Sequence, residues 1–179
     1  FVDKNAHMRY SSVENWSVDT YNLNTKRAIV QENDYMEWVG WNMWSWVTML
    51  YPCSILLWDN SKTDMLWLAF ANKGQNQDVW AKVIHIWKNT TSNIISKSLS
   101  KWGWISTYRW LVDIKPSATW SVSKIDCDAL LLDNLSVSDT VPNIIVGNSS
   151  STVGHEASAW KINDDYLFYL RSRGISEDE

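Results

Sequence analysis

Glycine, proline and cysteine are all scarce in this chain. Six glycines among 179 residues is about half the usual share of roughly 7%. None of them builds a phosphate-cradling loop or a nucleophile elbow, which argues against nucleotide-binding and hydrolase chemistry of those kinds. The two cysteines, Cys53 and Cys127, are too few for a disulfide framework or a paired-cysteine zinc site. They leave one bridge or two thiols, and reduced thiols in a cytosol-like compartment is the simpler reading. No run approaches the ~18 apolar residues of a membrane span, and the first residues lack the charged-then-apolar pattern of a signal peptide. Positive charge is not in excess either. Sixteen Lys and Arg against 20 Asp and Glu give a formal net charge of −4, which offers no footprint for nucleic acid or an anionic membrane.

What the chain does have is many short apolar runs punctuated by Asn, Asp, Ser or Thr: Val47–Met49, Ser54–Leu57, Leu66–Ala71, Val83–Ile86, Asn93–Ile95, Leu111–Ile114, Ala129–Leu132 and Ile144–Val146. Runs so short, bounded by turn formers, read as strands. A sandwich, a barrel and a parallel β-helix all fit them, and their irregular spacing does not by itself select a solenoid. Helical pattern enters near the end, where Asn163 or Asp164 caps the run Tyr166–Leu170 and Gly174 stops it. Ser176-Glu177-Asp178-Glu179 then reads as the cap and acidic first turn of a second helix. Starting on Phe1 and ending inside that helix, the chain reads as a segment of a longer protein. Four Asn-X-Ser/Thr triplets, at Asn15, Asn89, Asn134 and Asn148, are what an Asn- and Ser-rich chain generates by chance.

Among residues that carry chemistry, Cys127 lies between Asp126 and Asp128. Two neighbouring carboxylates raise a thiol's pKa, which suits a metal or cluster ligand better than a free nucleophile. His155-Glu156, after Gly154, offers two ligand types usable by iron. On a strand adjacent side chains face opposite ways, so the pair shares one site only if the chain bends there. His85, inside Val83-Ile84-His85-Ile86, reads as a core or rim histidine, and Cys53 as a small buried hydrophobe.

Several segments together resemble one family. In the last third stand Cys127-Asp128-Ala129-Leu130-Leu131, Ser138-Asp139-Thr140-Val141-Pro142, Gly154-His155-Glu156-Ala157 and the stretch from Leu167 through Arg171-Ser172-Arg173-Gly174-Ile175 to Glu177. Earlier come Glu14-Asn15-Trp16-Ser17, Lys82-Val83-Ile84-His85-Ile86 and Thr107-Tyr108-Arg109. In this order and spacing they resemble SufB, the scaffold of the SUF iron–sulfur assembly system, over essentially the whole chain. The sister SufD shares the Phe-Tyr-Leu-x-Ser-Arg-Gly type of ending, and Cys127 with the His155-Glu156 pair favours SufB.

The resemblance implies a right-handed parallel β-helix over 1–160, with a C-terminal helical region beginning in 161–179. It implies a scaffold and not an enzyme, which pairs with SufD through the β-helix, is driven by the ATPase SufC, and takes sulfur from SufE or SufU working with SufS. The cargo is a nascent Fe–S cluster, with reduced flavin as a further cofactor of the intact complex, in the bacterial cytoplasm or a plastid-type organelle. Cys127, His155 and Glu156 correspond to cluster-side residues. Trp16 and Lys26 match residues lining the sulfur route, and Glu14 stands where many members carry Gln. The upstream sulfur-accepting cysteine lies outside this chain. A mixed thiolate, imidazole and carboxylate set suits a cluster that must be handed on.

Fourteen tryptophans against six glycines inverts ordinary usage. Relative to the family, Trp41, Trp44, Trp58, Trp80, Trp102, Trp104, Trp110 and Trp120 fall at positions usually held by glycine. Glycine there supplies positive φ or close backbone approach, which an indole cannot. The pattern reads as a gene in which UGA encodes glycine, translated with UGA as tryptophan. A secreted tryptophan-rich sugar-binding domain is the alternative that these residues and the Asn-X-Ser/Thr triplets support.

Overall fold

Alternation is the rule along this chain. In Asn76–His85 every second side chain, Gln77, Val79, Ala81, Val83 and His85, is buried, the mark of a strand with one face on a core. The computed structural model describes residues 1–71, 73–161 and 164–176. Among them are eleven strands, β1 (His7–Asn15), β2 (Tyr21–Val30), β3 (Tyr35–Met43), β4 (Val47–Leu56), β5 (Lys62–Ala71), β6 (Asn76–His85), β7 (Thr91–Ser100), β8 (Ile105–Ile114), β9 (Val122–Leu131), β10 (Val137–Val146) and β11 (Thr152–Lys161), and one helix, α1 (Asp164–Ser172).

The odd strands form one sheet, ordered β1-β3-β5-β7-β9-β11, and the even strands another, ordered β10-β8-β6-β4-β2. Every pairing is parallel and skips one strand in sequence. The chain is therefore a β-solenoid of about five turns, each coil giving one strand to each sheet. His7 lies over Tyr35, Tyr35 over Lys62, Lys62 over Thr91, Thr91 over Val122 and Val122 over Thr152. Between the sheets sit Val30, Leu50, Leu56, Met65, Val79, Val83, Ile94, Val112, Ile114 and Ile125, each 0 or 1% exposed. Trp67 also lies inside, across Gly40, where an added Cβ would meet its ring at 1.6 Å.

The strands are longer than the apolar runs suggested, because many inward positions are polar. Val47–Met49 and Ser54–Leu57 fall almost wholly within one strand, β4, with Leu57 just past its end. Ser92, Ser96 and Ser100 are inward residues of β7, not its punctuation. Stacked coils satisfy such groups through ladders. The two ring nitrogens of His85 sit 2.7 Å from Thr90 Oγ1 and 2.9 Å from Ser92 Oγ, and these hydroxyls meet Ser121 at 2.7 Å and Ser123 at 2.8 Å. His85 is thus a core histidine, and burial lowers its pKa to about 4, with Asp113 opposing.

Helix α1 covers Tyr166–Leu170, and Gly174 ends it with a φ of +85°. The Ile175 amide donates to Leu170 at 3.2 Å across that stop, a glycine C-cap arrangement. Asn163 as a cap and Glu177–Glu179 as a second helix start lie outside the described residues. No described helix is long and apolar enough to cross a membrane.

One corner of the solenoid is a column of left-handed residues. Asn5, Asn33, Asn60 and Asn89 have φ of 58 to 60°, and the next rung, Trp120, has φ 59°. At the opposite corner Gly74 and Gly103 are left-handed, and so are Trp44 (φ 67°) and Trp102 (φ 62°). Asn and Gly accept this conformation readily, whereas a bulky L-residue is strained there by ~1–2 kcal/mol. Replacing Trp44, Trp102 or Trp120 by Gly should raise stability by about 1 kcal/mol each, read as a higher denaturation midpoint. Trp41→Gly, within a strand, should not stabilise, and equal effects at all four would refute the strain.

Titration of His85 gives a second expectation. Its folded pKa, near 4, lies below the ordinary value of 6.5. The unfolded chain therefore takes up the proton first as pH falls, and stability held above about 6.5 is lost progressively down to about 4, by about 3 kcal/mol in all. Urea melts at pH 7 and pH 4.5 should show this loss in the parent and a smaller one in His85→Gln.

Candidate functional site

Alternation along β9 turns Ser123, Ile125, Cys127 and Ala129 inward and Lys124, Asp126 and Asp128 outward. Cys127 is 6% exposed. Burial, then the charges of Asp126 and Asp128, push its thiol up to about 12. The direction agrees with the flanking carboxylates, but burial is the larger cause. The two aspartates are held on the outer face, Asp126 by Lys124 at 3.0 Å and Asp128 by Lys97 at 3.3 Å. Cys127 borders a cavity of about 140 Å³, shared with Ser96, Ser98, Tyr108, Asp128, Ser138 and Thr140.

Strand β11 runs straight through His155 and Glu156, laying His155 beside Ile125, Glu156 beside Asp126 and Ala157 beside Cys127. His155 therefore shares the inner face with Cys127, and its ring meets inward Trp110 edge-on at 4.7 Å. Glu156 points the other way, into an outer hollow that Lys97, Lys124, Asp126 and Cys127 also line. Cys127 and His155 thus share the inner face, while Glu156 is parted from His155 and borders the outer hollow that Cys127 also lines. Among the described residues no three His, Cys, Asp or Glu side chains converge on a metal position.

The other three candidates form a tight group at the opposite end. Lys26 Nζ lies 2.9 Å from Glu14 Oε1, and Trp16 Nε1 donates to Glu14 Oε2 at 2.9 Å. The Glu14 and Lys26 side chains are 8% and 13% exposed. Burial raises the Glu14 carboxyl, but donation from Lys26 and Trp16 outweighs it and holds the pKa below the ordinary value. Lys26 also reaches Ser12 at 3.3 Å and lies over the Tyr10 ring at 4.9 Å.

Between the two groups the inner wall is polar in places the sequence did not flag. Asn42, Gln77, Ser96 and Ser106 are buried inward residues. Both amide atoms of Asn42, Oε1 of Gln77 and the Tyr108 hydroxyl have no hydrogen-bond partner within the protein. β1 and β9 stand four strand spacings apart in their sheet, about 19 Å. The available signal was period two: these polar residues occupy the same alternate positions as their apolar neighbours.

Cys53 is 7% exposed, on an outward position between Arg27 and Lys82, and both cysteines are free thiols. Burial raises the Cys53 pKa against those two cations. A flavin requires a ring pocket beside a phosphate cradle. The groove of about 550 Å³ walled by Trp41, Trp44, Phe70, Leu99, Leu130 and Trp160 has no glycine loop or helix N-terminus lining it among the described residues. That groove offers no phosphate cradle for a flavin among the described residues.

The profile of the SUF system FeS cluster assembly SufBD core domain matches residues 1–179. An iron–sulfur cluster assembly SufBD family protein of Staphylococcus epidermidis is 49% identical over 178 residues, 99% of this chain and 38% of the relative. Those of Staphylococcus saprophyticus and Staphylococcus aureus are 48% and 49% identical over the same shares. The chain thus spans less than half the length of these curated relatives. With its solenoid architecture and a match over its whole length, the chain belongs to the SufBD core domain family of the SUF iron–sulfur cluster assembly system.

Proposed function

We propose that the chain is the central part of a SufB-type scaffold, which receives sulfur and iron and builds a nascent Fe–S cluster at the Cys127 end of the solenoid. The observation that carries this reading is the inner wall, where buried polar atoms without partners run from the Glu14–Lys26 pair to the Cys127 cavity. A closed core satisfies such atoms, and a passage for a polar cargo does not. Lys26 offers a buried positive charge to a sulfur anion, with Glu14 keeping the ammonium paired while nothing passes. Cys127 stays a thiol at neutral pH because of burial and the two aspartates, and an arriving iron ion reverses that balance. His155 supplies an imidazole on the same face. Glu156, on the outer face, borders with Cys127 the outer hollow and would approach a cluster from that side.

Cys127 together with His155-Glu156 supports SufB over SufD. SufD stacked on the β10–β11 end, SufC as the ATPase, SufE or SufU with SufS as sulfur donor, and a cytoplasmic site of action complete the proposal. Co-expression of the full-length protein with SufC and SufD should give a complex with iron and sulfide absorbance. Cys127→Ser should lose most of it while the complex still assembles, and equal cluster in both would refute the assignment of Cys127.

A second reading concerns the codons. Left-handed Trp44, Trp102 and Trp120 support UGA read as glycine in the source organism, whereas Trp41, Trp58, Trp80, Trp104 and Trp110 have no such backbone. Trp110 is buried with its indole N–H unpartnered, which also favours a smaller residue. Peptide mass spectrometry of the native protein should find glycine at positions 102 and 120, and tryptophan at 102 and 104 would sink the idea.

A further inference from the structure

Tyr108 is 5% exposed, and its hydroxyl has no hydrogen-bond partner. It is an inward residue of β8 and borders the same cavity as Cys127, on the opposite sheet. The rest of the wall adds Ser96, Ser98, Ser138 and Thr140, of which Ser98 and Ser138 approach each other at 3.2 Å. A buried hydroxyl without a partner is a liability to the fold, and Phe in the same place fills the space without it. The chamber holds about 140 Å³, more than a thiol hydrogen needs and room for several atoms at ~30 Å³ each. Its donors are neutral, so an anion bound there is stabilised without being trapped by a fixed cation. Asp128 lines the chamber as well, its carboxylate held by Ser158 and Lys97, and the hydroxyl donors offset its repulsion of an anion on Cys127.

We infer that this hydroxyl chamber is a binding site for sulfane sulfur carried on Cys127 as a persulfide anion, with Tyr108 as the positioning residue that donates to the terminal sulfur. The inference rests on the reading of Cys127 as the sulfur- and cluster-bearing residue, and adds Tyr108 to it. Loading from an inorganic polysulfide is balanced: the Cys127 sulfur attacks a terminal sulfur as its thiol proton passes to the departing polysulfide, a new S–S bond forms on Cys127, the donor's S–S bond breaks, and a hydropolysulfide one sulfur shorter leaves with the electron pair and the proton. No net oxidant is required.

The full-length protein, its Tyr108→Phe and Cys127→Ser variants, and a Thr140→Val variant would be treated with sodium tetrasulfide, desalted, alkylated at intervals and digested. Mass spectrometry of the Cys127 peptide then follows the added sulfur, and thermal melts follow the fold. Tyr108→Phe should lose the sulfur about tenfold faster than the parent, as expected for one lost hydrogen bond to an anion, with a Tm equal to or above the parent's. Thr140→Val should fall between. Equal lifetimes in parent and Tyr108→Phe would overturn the role of Tyr108 and leave Cys127 as the carrier. Faster loss accompanied by a lower Tm would make Tyr108 merely structural and overturn it too. A parent that gains no sulfur at Cys127, like Cys127→Ser, would overturn both this inference and the reading beneath it.

Discussion

In-register parallel pairing is the constraint on which the rest of this molecule depends. Each strand is hydrogen-bonded to the strands one coil before and after it, so a residue's neighbours are fixed by register and not by proximity in sequence. Any inward position becomes a column through the solenoid, as in Trp38, Met65, Ile94, Ile125 and His155. A one-residue slip would turn each such column outward. Corners inherit the same discipline: because every coil must turn at the same place, the left-handed position recurs from Asn5 to Trp120. The strain at Trp120 is therefore imposed by the stack and cannot be relieved locally without breaking pairing on both sides.

Columns allow the interior to be chemically graded along the axis. At one end the Glu14–Lys26 ion pair is buried but fully engaged, with Trp16 and Ser12 as additional partners. Removing one member of such a pair costs about 3–5 kcal/mol, because it strands a charge. At the other end Cys127 is neutral and the Tyr108 hydroxyl beside it is unpartnered. One end is charged and satisfied, and the other is uncharged and unsatisfied. The gradient places a buried cation, Lys26, at one end and a hydroxyl free to donate to a hydrogen-bond-accepting guest at the other.

What the sequence discloses and what it hides divide along the same line. The stop at Gly174, the core position of His85 and the separation of His155 from Glu156 were legible because each depends on local geometry. The solenoid repeat was not legible from spacing. Ser92, Ser96, Thr63 and Gln77 sit at inward positions, where a period-two pattern of apolar residues is broken and each long strand looks like two short ones. Ser92 and Thr63 find partners about one coil away, in Ser123 and the Met36 carbonyl, and a linear reading has no access to those. Tyr108 carries no chemical signal in the sequence, because only the stacking of the two sheets brings it to the cavity that Cys127 borders.

Exposure along an inward column depends on place in the stack. Within one column Val112 on β8 is fully buried, whereas Ile144, laid over it by β10, is 44% exposed; Ile114 and Val146 show the same contrast, at 0 and 43%. Side chains that would be core in a middle coil are uncovered on the last one. His155 is exposed for this reason and not because its strand departs from the pattern. A histidine enclosed like His85 is held neutral and inert by desolvation, with both nitrogens occupied by hydroxyls. His155, on the last strand of its sheet beside the strand that buries Cys127, is not enclosed in this way, and its ring meets Trp110 edge-on.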